Sequence, residues 1–133
     1  MPLRKLNRLI SILALKEFDI NNNYVFSKLF ELSNKKNRIN INDLGYLIGP
    51  ILNAGGRLGK SNYAAELLST KDFEIINQRS SELFTLNKKR KKLESLILDN
   101  IDFKKLENDN ENVILIYDPE INEGLIGIIA SRL

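Results

Sequence analysis

Through the N-terminal half of the chain, apolar residues recur three and four positions apart between short polar breaks, which is the spacing of helices that bury one face. Leu6, Leu9, Ile10 and Leu13 predict an amphipathic helix over residues 2–16, with Pro2 suited to its first turn. Asp19 to Asn23 reads as a loop, and Val25, Phe26, Leu29, Phe30 and Leu32 give a short second helix closed by the polar stretch Ser33 to Arg38. Asn40 with Asp43 has the spacing of a capping box, opening a third helix through Ile41, Leu44, Leu47 and Ile48. That helix should stop at Gly49-Pro50, because Pro50 has no amide donor and biases Gly49 away from the α region. An irregular glycine loop over residues 49–59 is expected next. Ser61 or Asn62 can then cap a fourth helix carrying Ala64, Ala65, Leu67 and Leu68, and Ser69 or Thr70 can cap the one after it.

The longest element is expected from about Lys71 to Leu106, a stretch without Gly or Pro, and if continuous it would span roughly 50 Å. Its apolar positions, Ile76, Leu83, Leu86, Leu93, Leu96, Ile97 and Ile101, form a stripe, so the opposite face is solvated or lines a groove. Ser80, Asn87 and Arg90 occupy would-be seam positions of a coiled coil, which favours a connector over a coil. Lys88-Lys89-Arg90-Lys91-Lys92 spreads cations around this helix, either as a plain solvated surface or as a contact for a nucleic-acid backbone. Beyond the polar spacer Glu107 to Asn112, Val113-Ile114-Leu115-Ile116-Tyr117 reads as a buried strand bounded by Asp118-Pro119. Residues 122–133 then read as a glycine turn and a helix N-terminus, either a plain corner or a place where amides receive an anion. The pattern stops at Leu133 while still apolar and helical, which reads as a cut chain.

Composition narrows the chemistry. The 133 residues are 43% hydrophobic and 28% charged, the make-up of a soluble globular segment, and no apolar run approaches the ~20 residues that span a bilayer. The N-terminus does not read as a secretory signal, so a cytoplasmic location without membrane attachment is expected. With no cysteine and no histidine, disulfides, thiolate metal sites and imidazole chemistry are excluded, and any metal would need carboxylates alone. The net charge of +3 is modest, so anion binding must come from clustering. The loop Gly49-Pro50-Ile51-Leu52-Asn53-Ala54-Gly55-Gly56-Arg57-Leu58-Gly59 offers such a cluster. Its glycines permit positive φ and close backbone approach, and Arg57 carries a planar, permanently charged donor fork, although a turn with a surface arginine accounts equally for the pattern.

The same loop, with Ala64, Glu66-Leu67-Leu68 and Thr70 downstream, resembles the Gly-Pro-Arg-x-Asn-Ala-Ala-Gly-Arg-Leu segment of the RecJ family, single-strand-specific 5′ to 3′ DNA exonucleases of the DHH phosphoesterase superfamily. Gly124-Leu125-Ile126-Gly127-Ile128-Ile129-Ala130-Ser131-Arg132-Leu133 is similar to that family's Gly-Val-Ile-Gly-Ile-Val-Ala-Ser-Arg-Leu, and Met1-Pro2-Leu3 to the stretch just after its last metal-binding aspartate. The resemblance implies a mainly α segment of an α/β two-domain protein: residues 1–70 closing the DHH catalytic domain, 71–106 the long connecting helix, and 107–133 the start of the DHH-associated domain. It implies metal-dependent phosphodiester hydrolysis with Mn²⁺ or Mg²⁺ in a complete enzyme, and a monomer acting on single-stranded DNA, with single-strand-binding protein as a further partner. This chain would supply neither metal ligands nor catalytic groups. Its substrate contacts would be Asn53, Gly55, Gly56 and Arg57 from the first motif and Gly124, Gly127, Ser131 and Arg132 from the second, Ser131 and Arg132 suiting a 5′-terminal phosphate.

Departures from the family pattern qualify this picture. Ile51 stands where the family has its leading arginine, and Ile121-Asn122 replaces the usual Trp-His. The Asp-His-His and Gly-Gly-His motifs are missing from a chain without histidine. Two other readings remain open: another DHH phosphoesterase acting on oligonucleotides or cyclic dinucleotides, and a non-catalytic helical nucleic-acid-binding or interaction module from a truncated reading frame.

Overall fold

The computed structural model describes residues 4–36, 38–101 and 115–133, and among them the regular elements are all helical. In order they are α1 (Lys5–Glu17), a 3₁₀ turn (Ile20–Asn22), α2 (Tyr24–Leu32), α3 (Ile41–Asp43), a π-helical turn (Leu44–Ile48), α4 (Gly49–Arg57), α5 (Tyr63–Ser69), α6 (Phe73–Asp99) and α7 (Glu123–Ala130). The expected mainly α character is therefore present, and no described helix is long and apolar enough to cross a membrane.

Local polar chemistry sets most of the boundaries. The Asn23 side chain accepts the Phe26 amide at the start of α2. Asn40 and Asp43 form the expected reciprocal box: Asn40 Oδ1 accepts the Asp43 amide at 3.2 Å, and Asp43 Oδ2 accepts the Asn40 amide at 2.8 Å. At the other end of α2, Asn34 takes φ +53° and lets the Lys35 amide reach back to the Phe30 carbonyl at 2.9 Å, closing the helix with a left-handed residue. The α6 cap is Asp72, whose carboxylate accepts from the Glu74 and Ile75 amides, rather than Ser69 or Thr70. Thr70 Oγ1 instead accepts the Asp72 amide, and an anion at the helix start complements the dipole in a way a hydroxyl cannot.

The helix does not stop at Gly49-Pro50, and residues 49–57 are not a loop. Pro50 lies in the first turn of α4, and the preceding π turn absorbs what proline would otherwise disrupt. The Gly49 amide bonds to the Leu44 carbonyl, five residues back, so the backbone widens just where the ring needs room. A Cβ on Gly49 would stand 2.9 Å from that same carbonyl oxygen, which is why glycine precedes the proline.

The core is a single cluster of Leu29 and Phe30 from α2, Ile39 just before α3, Ile48 from the π turn, Ile51 from α4, Leu67 from α5, and Ile76 and Leu83 from α6. α6 is its spine, packing against α2, α4, α5 and α7. At about 40 Å it is shorter than the expected connector. Residues 102–106 lie outside the described part. Arg79 pins α5 to α6: Nε donates to Glu66 at 2.7 Å, Nη1 to Glu82 at 2.6 Å, and the guanidinium lies 4.2 Å from the Tyr63 ring centroid. These hydrogen bonds, Glu66 first, hold Arg79 protonated beyond its ordinary range. By contrast α1 buries no residue, and Leu6, Leu9 and Leu13 are exposed.

The expected strand is not formed where it can be followed. Val113 and Ile114 lie outside the described residues, and Leu115 to Tyr117 are irregular, with Leu115 and Tyr117 almost fully exposed. A strand is defined by a partner edge, and among the described residues none is present to pair with it.

A candidate anion-binding cleft

The end of α4 and the start of α7 meet beside α6. α4 ends at Arg57, where Gly59 adopts φ +79° and the Lys60 amide turns back to the Gly55 carbonyl at 2.7 Å. This left-handed stop is the one place where the glycines of the first motif use the positive φ expected of them. α7 then crosses α4 with Gly124 against the backbone of Arg57: a Cβ on Gly124 would come within 2.7 Å of the Arg57 Cα. That close approach lets Arg57 Nη1 donate to the Gly124 carbonyl at 2.8 Å, joining the two motifs across 67 positions of sequence.

The junction borders a cleft of about 650 Å³ whose polar lining includes Asn53, Arg57, Arg90, Lys91, Glu94 and Arg132. Arg90 is buried, and its charge is answered on both sides. Nε donates to Asn87 Oδ1 at 3.2 Å, and Nη1 donates to Glu94 Oε2 at 2.9 Å. The other carboxylate oxygen, Glu94 Oε1, faces Arg132 Nη2 at 3.2 Å. Glu94 is thus a buried anion between two guanidinium groups, one from α6 and one from the chain just past α7. The Arg132 side chain remains 61% exposed. Arg57, Lys91 and Arg132 leave cationic groups around an open groove, an arrangement that can receive a phosphate or carboxylate.

The sequence-derived site residues separate into distinct places. Asn53, Arg57 and Arg132 line the cleft. Gly124 enters through its carbonyl and its lack of a side chain. Gly55 is buried, with the Lys60 carbonyl oxygen 2.6 Å and Leu83 Cδ2 3.0 Å from where a Cβ would stand, so it packs α4 rather than lining the groove. Gly56 and Gly127 are exposed, with open space beside them. Ser131 is exposed too, and its Oγ donates to the Ile128 carbonyl at 2.7 Å. The N-terminus of α7 does not offer a free amide at Gly124, because Asn122 Oδ1 accepts it at 2.9 Å.

Sequence reasoning missed Asn87 and Glu94 as members of this site and offered Arg90 and Lys91 only within a cation run that either faces solvent or contacts a nucleic-acid backbone. A signal was present: the buried positions of α6 are Ile76, Ser80, Leu83, Asn87, Arg90 and Glu94, a regular stripe alternating four and three residues apart. The polar members looked like seam defects and are instead the buried face, while Leu96, counted in the apolar stripe, is 50% exposed. The cation run splits accordingly. Arg90 turns inward, Lys91 reaches the cleft, and Lys88 stacks 4.6 Å from the Phe84 ring centroid. Among the described residues no group of three or more His, Cys, Asp or Glu side chains could hold a metal ion.

Fold and cleft together define a helical segment that brings two distant glycine-bearing motifs to one basic groove. No protein-family model matches the chain, and no solved structure matches it. Curated relatives do. The chain is 36% identical over 115 residues to the single-stranded-DNA-specific exonuclease RecJ of Salmonella typhimurium, covering 79% of this chain and 19% of that protein. It is 30% identical to RecJ of Bacillus subtilis over its whole length and 17% of the relative's, and 33% identical over 91 residues to RecJ of Thermus thermophilus. On these matches the chain is RecJ-like in sequence, and it spans about a fifth of the length of the first two relatives.

Proposed function

We propose that this segment holds single-stranded DNA for a RecJ-like 5′ to 3′ exonuclease of the DHH phosphoesterase class. The observation that carries the reading is the convergence of Arg57, from the first RecJ-like motif, and Arg132, from the second, on one cleft with Asn53 and Lys91. The guanidinium forks and the lysine would grip backbone phosphates, with Arg132, the more exposed fork, placed to take a terminal phosphate. Hydrolysis in the complete protein would be metal-dependent, with Mn²⁺ or Mg²⁺ supplying Lewis acidity and an activated water. The described residues do not fit such ions, having neither histidine nor a carboxylate cluster, so this chain's part is binding and orientation. Of Arg57, Nη1 is engaged by Gly124, which fixes the fork's direction and leaves its other donors for the strand.

The test uses the complete protein that carries this segment, with 5′-labelled single-stranded DNA and Mn²⁺. Arg57→Ala is expected to weaken binding or cleavage at least tenfold, about 1.4 kcal/mol. Unchanged activity would remove Arg57 from the site. A duplex of the same sequence, cleaved as readily as the single strand, would count against single-strand specificity.

A further inference from the structure

Resting on that reading of the cleft, we infer that Glu94 is a positioning residue: its carboxylate docks the Arg132 guanidinium on α6 and so presents the rest of that fork to the nucleic acid. Arg132 follows the last turn of α7 and is mostly exposed, so nothing in its own backbone restricts a long, rotamer-rich side chain. Glu94 can restrict it because Glu94 is itself fixed. It lies within the long helix α6, is buried, and has Oε2 occupied by Arg90 at 2.9 Å, while Asn87 holds Arg90 in turn at 3.2 Å. The remaining oxygen, Oε1, is the one directed at Arg132, at 3.2 Å. A guanidinium carries five donors, so a single contact from Nη2 to the carboxylate leaves the others for a ligand in the cleft that Arg132 lines.

Loss of the Glu94 carboxylate should therefore change binding in the direction opposite to plain electrostatics. A carboxylate beside a DNA-binding groove repels phosphate, so if Glu94 acted only as a charge, Glu94→Gln would tighten binding. As a positioning residue, its loss frees Arg132 and weakens binding.

The experiment is fluorescence anisotropy of the complete protein with 5′-phosphorylated single-stranded DNA, in EDTA so that no cleavage occurs. It compares wild type, Glu94→Gln, Arg132→Ala and the double variant at two salt concentrations. Expected is a roughly tenfold weaker Kd for Glu94→Gln, with Arg132→Ala adding little in that background. Tighter or unchanged binding by Glu94→Gln, or single effects that simply multiply, overturns the proposal. If Arg132→Ala binds like wild type, the reading of the cleft falls with it; if only Glu94→Gln does, the cleft stands and the positioning role falls. Because Glu94→Gln leaves Arg90 buried beside a neutral amide, Arg132→Lys serves as a variant that spares the fold. A single ammonium cannot serve Glu94 and a phosphate in two directions, so its Kd should also weaken several-fold, and wild-type affinity for Arg132→Lys overturns the proposal.

Discussion

Gly124 and Gly127 lie three residues apart on α7, and alanine at the two positions should have opposite effects. At Gly124 the new methyl group would meet the Arg57 Cα at 2.7 Å and its carbonyl carbon at 2.9 Å, and these are backbone atoms that cannot rotate away. α7 must therefore retreat from α4, which strains the packing by about 1–3 kcal/mol and loses the Arg57 hydrogen bond, about 0.5–1.5 kcal/mol. The gain in helix propensity returns about 1 kcal/mol, so the docking of α7 should weaken by about 0.5–3.5 kcal/mol. At Gly127 nothing lies within 4 Å of the new Cβ and φ is negative, so only the propensity gain of about 1 kcal/mol applies. Amide hydrogen exchange across Ile126 to Ala130 reads both. Gly124→Ala should speed exchange roughly 2- to 350-fold, and Gly127→Ala should slow it up to about fivefold. If Gly124→Ala exchanges as slowly as the unaltered chain, α7 does not sit against Arg57 and the two motifs do not meet.

Two further outcomes follow from the core and the caps. Ser80 is fully buried on α6 with its hydroxyl unpartnered, so Ser80→Ala should raise stability by about 1 kcal/mol in urea melts, and a loss of stability would mean that the hydroxyl is bonded in solution. Burial works to raise the Asp43 carboxyl, but the Lys35 ammonium at 2.9 Å and the Asn40 amide outweigh it and hold the pKa below the ordinary value. A depressed carboxyl contributes its stability above the unfolded value of ~3.9 and loses it as pH falls through the folded pKa. Asp43→Asn should therefore cost about 1 kcal/mol at pH 7 and much less near pH 2, and an equal difference at both pH values would refute the linkage.

What the sequence disclosed was local. The α2 pattern and the Asn40/Asp43 box depend on residues within one turn of each other, and both stand as expected. Pro50 misled because its cost can be absorbed by a π turn, a geometry that no residue within the proline's own turn announces. On α6 the polar residues at 80, 87, 90 and 94 hid the buried face, since burial of an arginine or glutamate depends on partners elsewhere in the chain. The cleft was half legible for the same reason. Arg57 and Arg132 stood out by type and motif, but that Glu94 answers Arg132, or that the Gly124 carbonyl answers Arg57, is decided only by how α4, α6 and α7 cross.

The buried stripe of α6 runs at one spacing but changes character midway, from Ile76, Ser80 and Leu83 on the core side to Arg90 and Glu94 at the cleft, with Asn87 holding Arg90. The two halves should therefore tolerate change differently. Residues 76 and 83 can exchange among apolar side chains of similar volume, because their surroundings ask only for shape. Residues 87, 90 and 94 are joined by hydrogen bonds from one to the next, so single replacements there should cost more than paired replacements that compensate each other. In a library of variants across the helix, the point where permissiveness gives way to covariation would mark, without any structure, where the fold hands over to the groove.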